Sequence, residues 1–204
     1  MTLAPPLLEE DQDTTVLLKL SLEAVGLTDD QFERLCADNP ELVFELSAEQ
    51  ELIVMSPTSI KTGRRNSKLS VRLGVWDEAE GMGYAFDSST MYTLPNGAKR
   101  SPDASWIRRE RVDALDEDEQ DSFAHIVPDF VVELRSKSDS LRRLRAKMEE
   151  YIANGVRLGW LLDPRTRTVY VYRPGQPVEE LHDPVTLSGE PVLPGFTLNV
   201  AEIW

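Results

Sequence analysis

The chain has 204 residues, enough for one sizeable domain and too few for two ample ones. Hydrophobic residues make up 41% and charged residues 28%, an ordinary globular balance, and no apolar run approaches the roughly 18 residues that a membrane span needs. The net charge of −14 by itself argues against a nucleic-acid partner, and the single cysteine, Cys36, excludes an internal disulfide and any cysteine-rich zinc site.

Residues 1–22 carry proline, acids and leucine without a firm period and are expected to be a tail or docking arm, leaving residues 23–204 as one domain. The start has no basic flank or long apolar core, so it does not read as a secretory signal, and the cytoplasm is the expected location. "LTDDQFERLCADNP" predicts a helix: Thr28 with Gln31 three positions later is a capping-box pattern, Phe32, Leu35 and Cys36 give an apolar face, and Pro40 stops it. "ELVFEL" and "QELIVMS" predict a hairpin turning at "SAE". In "NSKLSVRLGVWDEAEG", Leu69, Leu73 and Trp76 have helical spacing and Gly81 is a stop.

"GYAFDSSTMYTLPNGAKRSPDASWI" is rich in β-formers and broken by a Pro95-Asn96-Gly97 turn, and "RERVDALDEDEQ" reads as a polar helix or lid. "PDFVVEL" has few outward polar positions and predicts a strand central in a sheet. "SDSLRRLRAKMEEYIANG" predicts a helix capped by Ser or Asp, lined by Leu141, Leu144, Met148 and Ile152, and ended by Gly155. "VRLGWLLDP" and "RTVYVYRPG" follow as strands around "DPRT", and the C-terminus gives short β pieces. This order predicts an α/β fold with a central mixed sheet flanked by helices.

Three carboxylates stand in these strand patterns: Glu45, Asp103 and Glu133. A buried unpaired carboxylate costs several kcal/mol, so such groups pair with a base, reach a strand end, or hold a cation. Asp103 and Glu133 on adjacent strands suit a hard divalent ion such as Mg²⁺, with Mn²⁺ as a substitute, which would polarise a phosphodiester and activate a water. Asp129 is a rival, but it lies four residues before Glu133, roughly 13 Å along an extended strand, too far to share one ion. Lys147 falls on the rim of its helix's buried face and can balance transition-state charge, orient water or accept a proton. Arg135 shares a strand face with Glu133, stays protonated, and is expected to partner a phosphate or carboxylate. The net charge is offset locally, because 16 of the 22 basic residues fall into three blocks near these acids. Arg64, Arg65, Arg143 and Arg135, drawn from them, are candidate DNA contacts.

"RSPDASWI", then "PDFVVELRSKSDSLRRLRAKMEEYIANGVRLGWLLDP", then "VYRPG", resembles the Uma-two family of prokaryotic endonucleases, and "FELSAEQELIVMSPTS" is similar to that family's opening hairpin. The likeness covers about residues 28 to 204. It implies the PD-(D/E)XK superfamily, a restriction-endonuclease-like fold and Mg²⁺-dependent hydrolysis of DNA. Asp103 and Glu133 match the family's metal ligands, and Glu45 matches its early glutamate. The superfamily's "E-x-K" is "E-L-R" here, and Lys147 fits a lysine displaced onto the following helix. Ser136 matches the serine after the glutamate, while the histidine common after "SPT" is missing.

Two further readings stay open: a nuclease-fold module that binds nucleic acid or a protein without cutting, and an acid–base hydrolase using Glu45 and Glu133 that works in a chelator. A homodimer is compatible with cutting both strands. His125 and His182 have no metal-ligand spacing and are expected on the surface, and Gly81-Met82-Gly83 reads as a turn.

Overall fold

The structure, a computed structural model, describes residues 18–204 except Ser56. The chain runs β1 (Leu18–Ser21), α1 (Asp29–Asp38), β2 (Val43–Leu46), β3 (Glu51–Met55) and α2 (Ile60–Glu80). It continues through β4 (Gly83–Asp87), β5 (Tyr92–Thr93), β6 (Lys99–Arg100), β7 (Ala104–Arg108), α3 (Arg109–Val112) and α4 (Glu117–Gln120). A strand–helix–strand unit follows: β8 (Phe130–Leu134), α5 (Leu141–Ala153) and β9 (Leu158–Asp163). The chain closes with β10 (Thr168–Tyr172), β11 (Glu179–His182), β12 (Thr186–Ser188), β13 (Thr197–Asn199) and a 3-10 turn.

Six strands form the central mixed sheet in the order β11-β10-β9-β8-β7-β4. β8 and β9 are parallel, joined by α5, and the other pairs are antiparallel. β8 is buried along its whole length, as the expected central strand should be. Its period of two divides the core. Phe130 and Val132 face a cluster with Trp106, Trp160 and α2's Leu69 and Leu73, whereas Val131 faces Leu161 and α5's Met148 and Tyr151. Alternation therefore puts Glu133 on the α5 side.

A second, antiparallel sheet in the order β1-β3-β2-β6-β5 adds a layer beyond the expected central sheet. Phe44, Leu46 and Leu52 pack on Phe32 of α1, leaving Glu45 and its cross-strand neighbour Ile53 on the other face. The chain passes from this sheet to the central one between β6 and β7, through Ser101-Pro102-Asp103. Pro102 has no N–H to give a ladder, which suits a point where the strand must leave one sheet.

Local signals set most element ends. Thr28 and Gln31 form the expected capping box. The helix expected from Asn66 starts six residues earlier, because Ser59 accepts from the Thr62 N–H, so the first basic block rides on α2. Ser140 stands at the α5 N-cap without a side-chain capping bond; Asp139 instead accepts from the Ser136 N–H at 2.7 Å. On α5, Met148 and Tyr151 are the fully buried residues, and Leu141, Leu144 and Ile152 are only half-buried. "RERVDALDEDEQ" folds as two four-residue helices. Leu18–Ser21, expected within the tail, is a strand paired with β3, Leu22 packs against the α1 cluster, and residues 1–17 of that expected tail lie outside the described residues.

Gly83 allows the close packing of β4 on β7. A Cβ there would collide with the Trp106 ring and the Ile107 carbonyl oxygen. Gly83→Ala is expected to cost about 1–3 kcal/mol through overpacking against backbone, read as a lower midpoint in thermal melts.

Candidate active site

The two sheets and α5 meet around Lys147. Its Nζ lies 2.8 Å from Glu45 Oε1 on β2 and 2.8 Å from Glu133 Oε1 on β8. The register pairs Ala104 with Val132, which sets Asp103 next to Glu133 across the β7–β8 ladder. Asp103 Oδ2 accepts from the Leu134 N–H at 2.7 Å, and Oδ1 accepts from Asn66 Nδ2 of α2 at 2.7 Å. Glu45 also accepts from the Ser101 N–H at 3.0 Å and from Arg100 at 3.3 Å. Arg100 in turn reaches Glu150 of α5 at 2.6 Å. The four residues expected to form the site, Glu45, Asp103, Glu133 and Lys147, thus line one cavity of about 750 Å³.

Burial and unequal charge set the protonation of this cluster. Four carboxylates, Glu45, Asp103, Glu133 and Glu150, face two cations, Lys147 and Arg100. Burial pushes Glu133 up to about 8; Lys147 opposes this, while Asp103 and Glu45 add to it. Burial also raises Asp103, against the Leu134 hydrogen bond and Lys147. Burial would raise Glu45 too, but Lys147 and Arg100 outweigh it and hold that carboxyl below its ordinary value. For Lys147, burial favours the neutral amine, yet Glu133 and Glu45 override it and hold the ammonium above its ordinary value.

Several basic residues do other work. Arg135 is buried and donates to Asp163 Oδ2 at 2.8 Å and to the Asp139 carbonyl at 3.1 Å, so it is a carboxylate partner and does not line the cavity. Arg65 donates to the Ile203 carbonyl at 2.7 Å, tying α2 to the C-terminus, and exposed Arg64 lies on α2 away from the cavity lining. Arg143 does line it, with Lys137 and Ser136 from the β8–α5 turn. Asp129 is held by the Arg108 N–H at 3.0 Å and Arg111 at 2.8 Å, away from the cavity lining.

Sequence reasoning passed over Arg100, Glu150, Asn66 and Tyr151. Tyr151 donates to Glu133 Oε1 at 3.1 Å. Its signal was present, four residues after Lys147 on the same helix face. Arg100 sits three residues before Asp103, but nothing in its local sequence pattern points to Glu45 or Glu150 as its partners.

The donor set suits a hard cation. Glu133 Oε2 has no hydrogen-bond partner among the described residues, and the local excess of negative charge matches a divalent ion. Among the described residues no three histidine, cysteine or acidic side chains stand at metal-binding distance. Asp103 and Glu133 could hold Mg²⁺ with water completing its shell, the usual habit of that ion.

The architecture is a restriction-endonuclease-like fold, as in the crystal structure of a "putative nuclease belonging to DUF820" from Anabaena variabilis. That structure has a TM-score of 0.73 and 21% identity, covering 87% of this chain and 97% of its own. The chain belongs to the Uma2 family, described as "Putative restriction endonuclease", whose profile matches residues 29–201. No curated protein matches the chain. No helix among the described residues is long and apolar enough to cross a membrane.

Two outcomes test this electrostatic reading. A carboxyl raised to about 8 contributes stability that is full below its ordinary value near 4.5 and is lost as pH rises toward 8. Glu133→Gln cannot titrate, so its melting midpoint relative to wild type should climb across that window and then level. Arg135→Ala should cost about 3–5 kcal/mol in chemical denaturation by stranding buried Asp163.

Proposed function

We propose that this protein is a metal-dependent endonuclease that hydrolyses DNA phosphodiester bonds in the cavity lined by Glu45, Asp103, Glu133 and Lys147. The observation that carries the reading is the convergence of Asp103 and Glu133 in a recess short of positive charge, beside an amine from the next helix. Asp103 and Glu133 would hold Mg²⁺ or Mn²⁺; such an ion, when bound, lowers the pKa of a water and stabilises the departing oxygen.

The chain's own groups do the rest. Lys147 is held protonated, so it is a source of positive charge for the phosphoryl oxygens and a poor general base. Glu45, ionised and anchored by the Ser101 N–H and Arg100, keeps that amine in place. Tyr151 holds Glu133 Oε1, and Oε2, without a hydrogen-bond partner among the described residues, would be available to a metal ion. Arg143 and Lys137 supply charge for flanking phosphates. Glu133 must release its proton before it can ligate, so metal binding should liberate protons and weaken below about pH 8.

Nicking of supercoiled plasmid tests the proposal. Wild type should nick in Mg²⁺ or Mn²⁺ and stop in EDTA. Asp103→Ala and Glu133→Ala should lose about 100-fold or more, a scale typical of removing a principal electrostatic group. Activity that survives EDTA would favour acid–base chemistry, a reading supported by the opposite shifts of Glu45 and Glu133. DNA binding without any nicking would favour the non-cutting module, which the engagement of Lys147 by both glutamates also suits.

A further inference from the structure

The cavity walls differ in a way that bears on which form of nucleic acid can enter. Glu45 and Glu133 are only 3% and 4% exposed, and the Lys147 side chain 12%. A reacting phosphate must therefore enter a recess. One set of lining residues comes from the β8–α5 turn and the start of α5: the hydroxyl-bearing Ser136, the cations Lys137 and Arg143, and one acid, Asp139, which accepts from the Ser136 N–H at 2.7 Å. The other comes from the free face of the five-stranded sheet, where Ile53 and Met55 of β3 are apolar. Val43, cross-strand from Met55 and 53% exposed, continues that apolar strip. The charged groups that line the cavity from this sheet are Glu45, Glu49, Glu51, Lys19 and Arg100; Lys19 is bound to Glu51 at 2.6 Å and Arg100 to Glu150 at 2.6 Å.

We infer that the cavity takes an unpaired nucleic-acid strand in preference to B-form duplex; the inference rests on the nuclease reading for its chemistry. A duplex presents two phosphate backbones, and the sheet face offers the second one carboxylates and apolar surface. A single strand presents phosphates along one edge and base faces along the other, which matches Lys137 and Arg143 on one wall facing an apolar strip on the other. The chain's net charge of −14 adds repulsion against the larger charge of a duplex.

The test measures binding and cutting separately on the full chain. Fluorescence anisotropy in Ca²⁺ would compare a labelled single-stranded oligonucleotide with its blunt duplex, and cleavage of both would be followed in Mg²⁺ and Mn²⁺. The single strand should bind about tenfold tighter or better and be cut faster than the duplex. Met55→Glu, at a partly exposed position outside the proposed catalytic group, should weaken single-strand binding with its melting midpoint retained. Equal or tighter duplex binding, or no binding of either, overturns the inference. Duplex cutting with the single strand spared also overturns it and leaves the nuclease reading intact. Preferential single-strand binding without cutting supports the inference and removes the nuclease reading.

Discussion

The arrangement depends on one buried ammonium shared by two carboxylates. Lys147 joins Glu45 of the five-stranded sheet to Glu133 of the central sheet, and it comes from the helix that covers the latter. Buried ion pairs repay their desolvation only when their remaining polar atoms are also satisfied. Here Tyr151, Arg100 and the Ser101 N–H supply that support. The contact is therefore both the seam between two layers and the geometric centre of the candidate site.

The same seam is electrically incomplete. Its carboxylates outnumber its cations, and burial, opposed by Lys147 and reinforced by Asp103 and Glu45, raises Glu133 above the ordinary carboxylate range. A fold under pressure for stability alone would be served as well by apolar residues of similar volume. Retaining a surplus of buried acid makes sense where a cation or a developing charge arrives from outside, which is how perturbed carboxylates mark functional sites. The ladder between β7 and β8 adds the geometry, because it sets Asp103 beside Glu133 from strands of opposite direction.

Around this centre the fold supplies unlike walls. α5 begins at a turn dense in hydroxyl and basic groups, whereas β3 turns Ile53 and Met55 toward the same space. The acidic character of the whole chain is thus compatible with a basic contact confined to one turn. Much of the remaining basic inventory is structural: Lys99 pairs with Asp29, Arg111 with Asp129, Arg135 with Asp163, and Arg72 with Glu202.

What the sequence determined by itself was local. The Thr28 capping box, the β2–β3 hairpin, the central strand β8 and helix α5 follow from hydrophobic period and turn chemistry, which depend on neighbours a few residues away. The helical angle of Lys147 put it on the rim of α5's buried face, and the packing of Val131 against Met148 and Tyr151 then shows which face of β8 that helix covers. Only the tertiary structure decided the partners. Arg135 shares a face with Glu133, yet Asp163, 28 residues on, draws it into a buried pair. Arg100 joins the site because the chain changes sheets at Pro102, and the second sheet itself depends on pairings such as Leu46 with Lys99. Periodicity fixes which way a side chain points, but which charge it meets depends on contacts between segments far apart in the chain, and no local pattern encodes those.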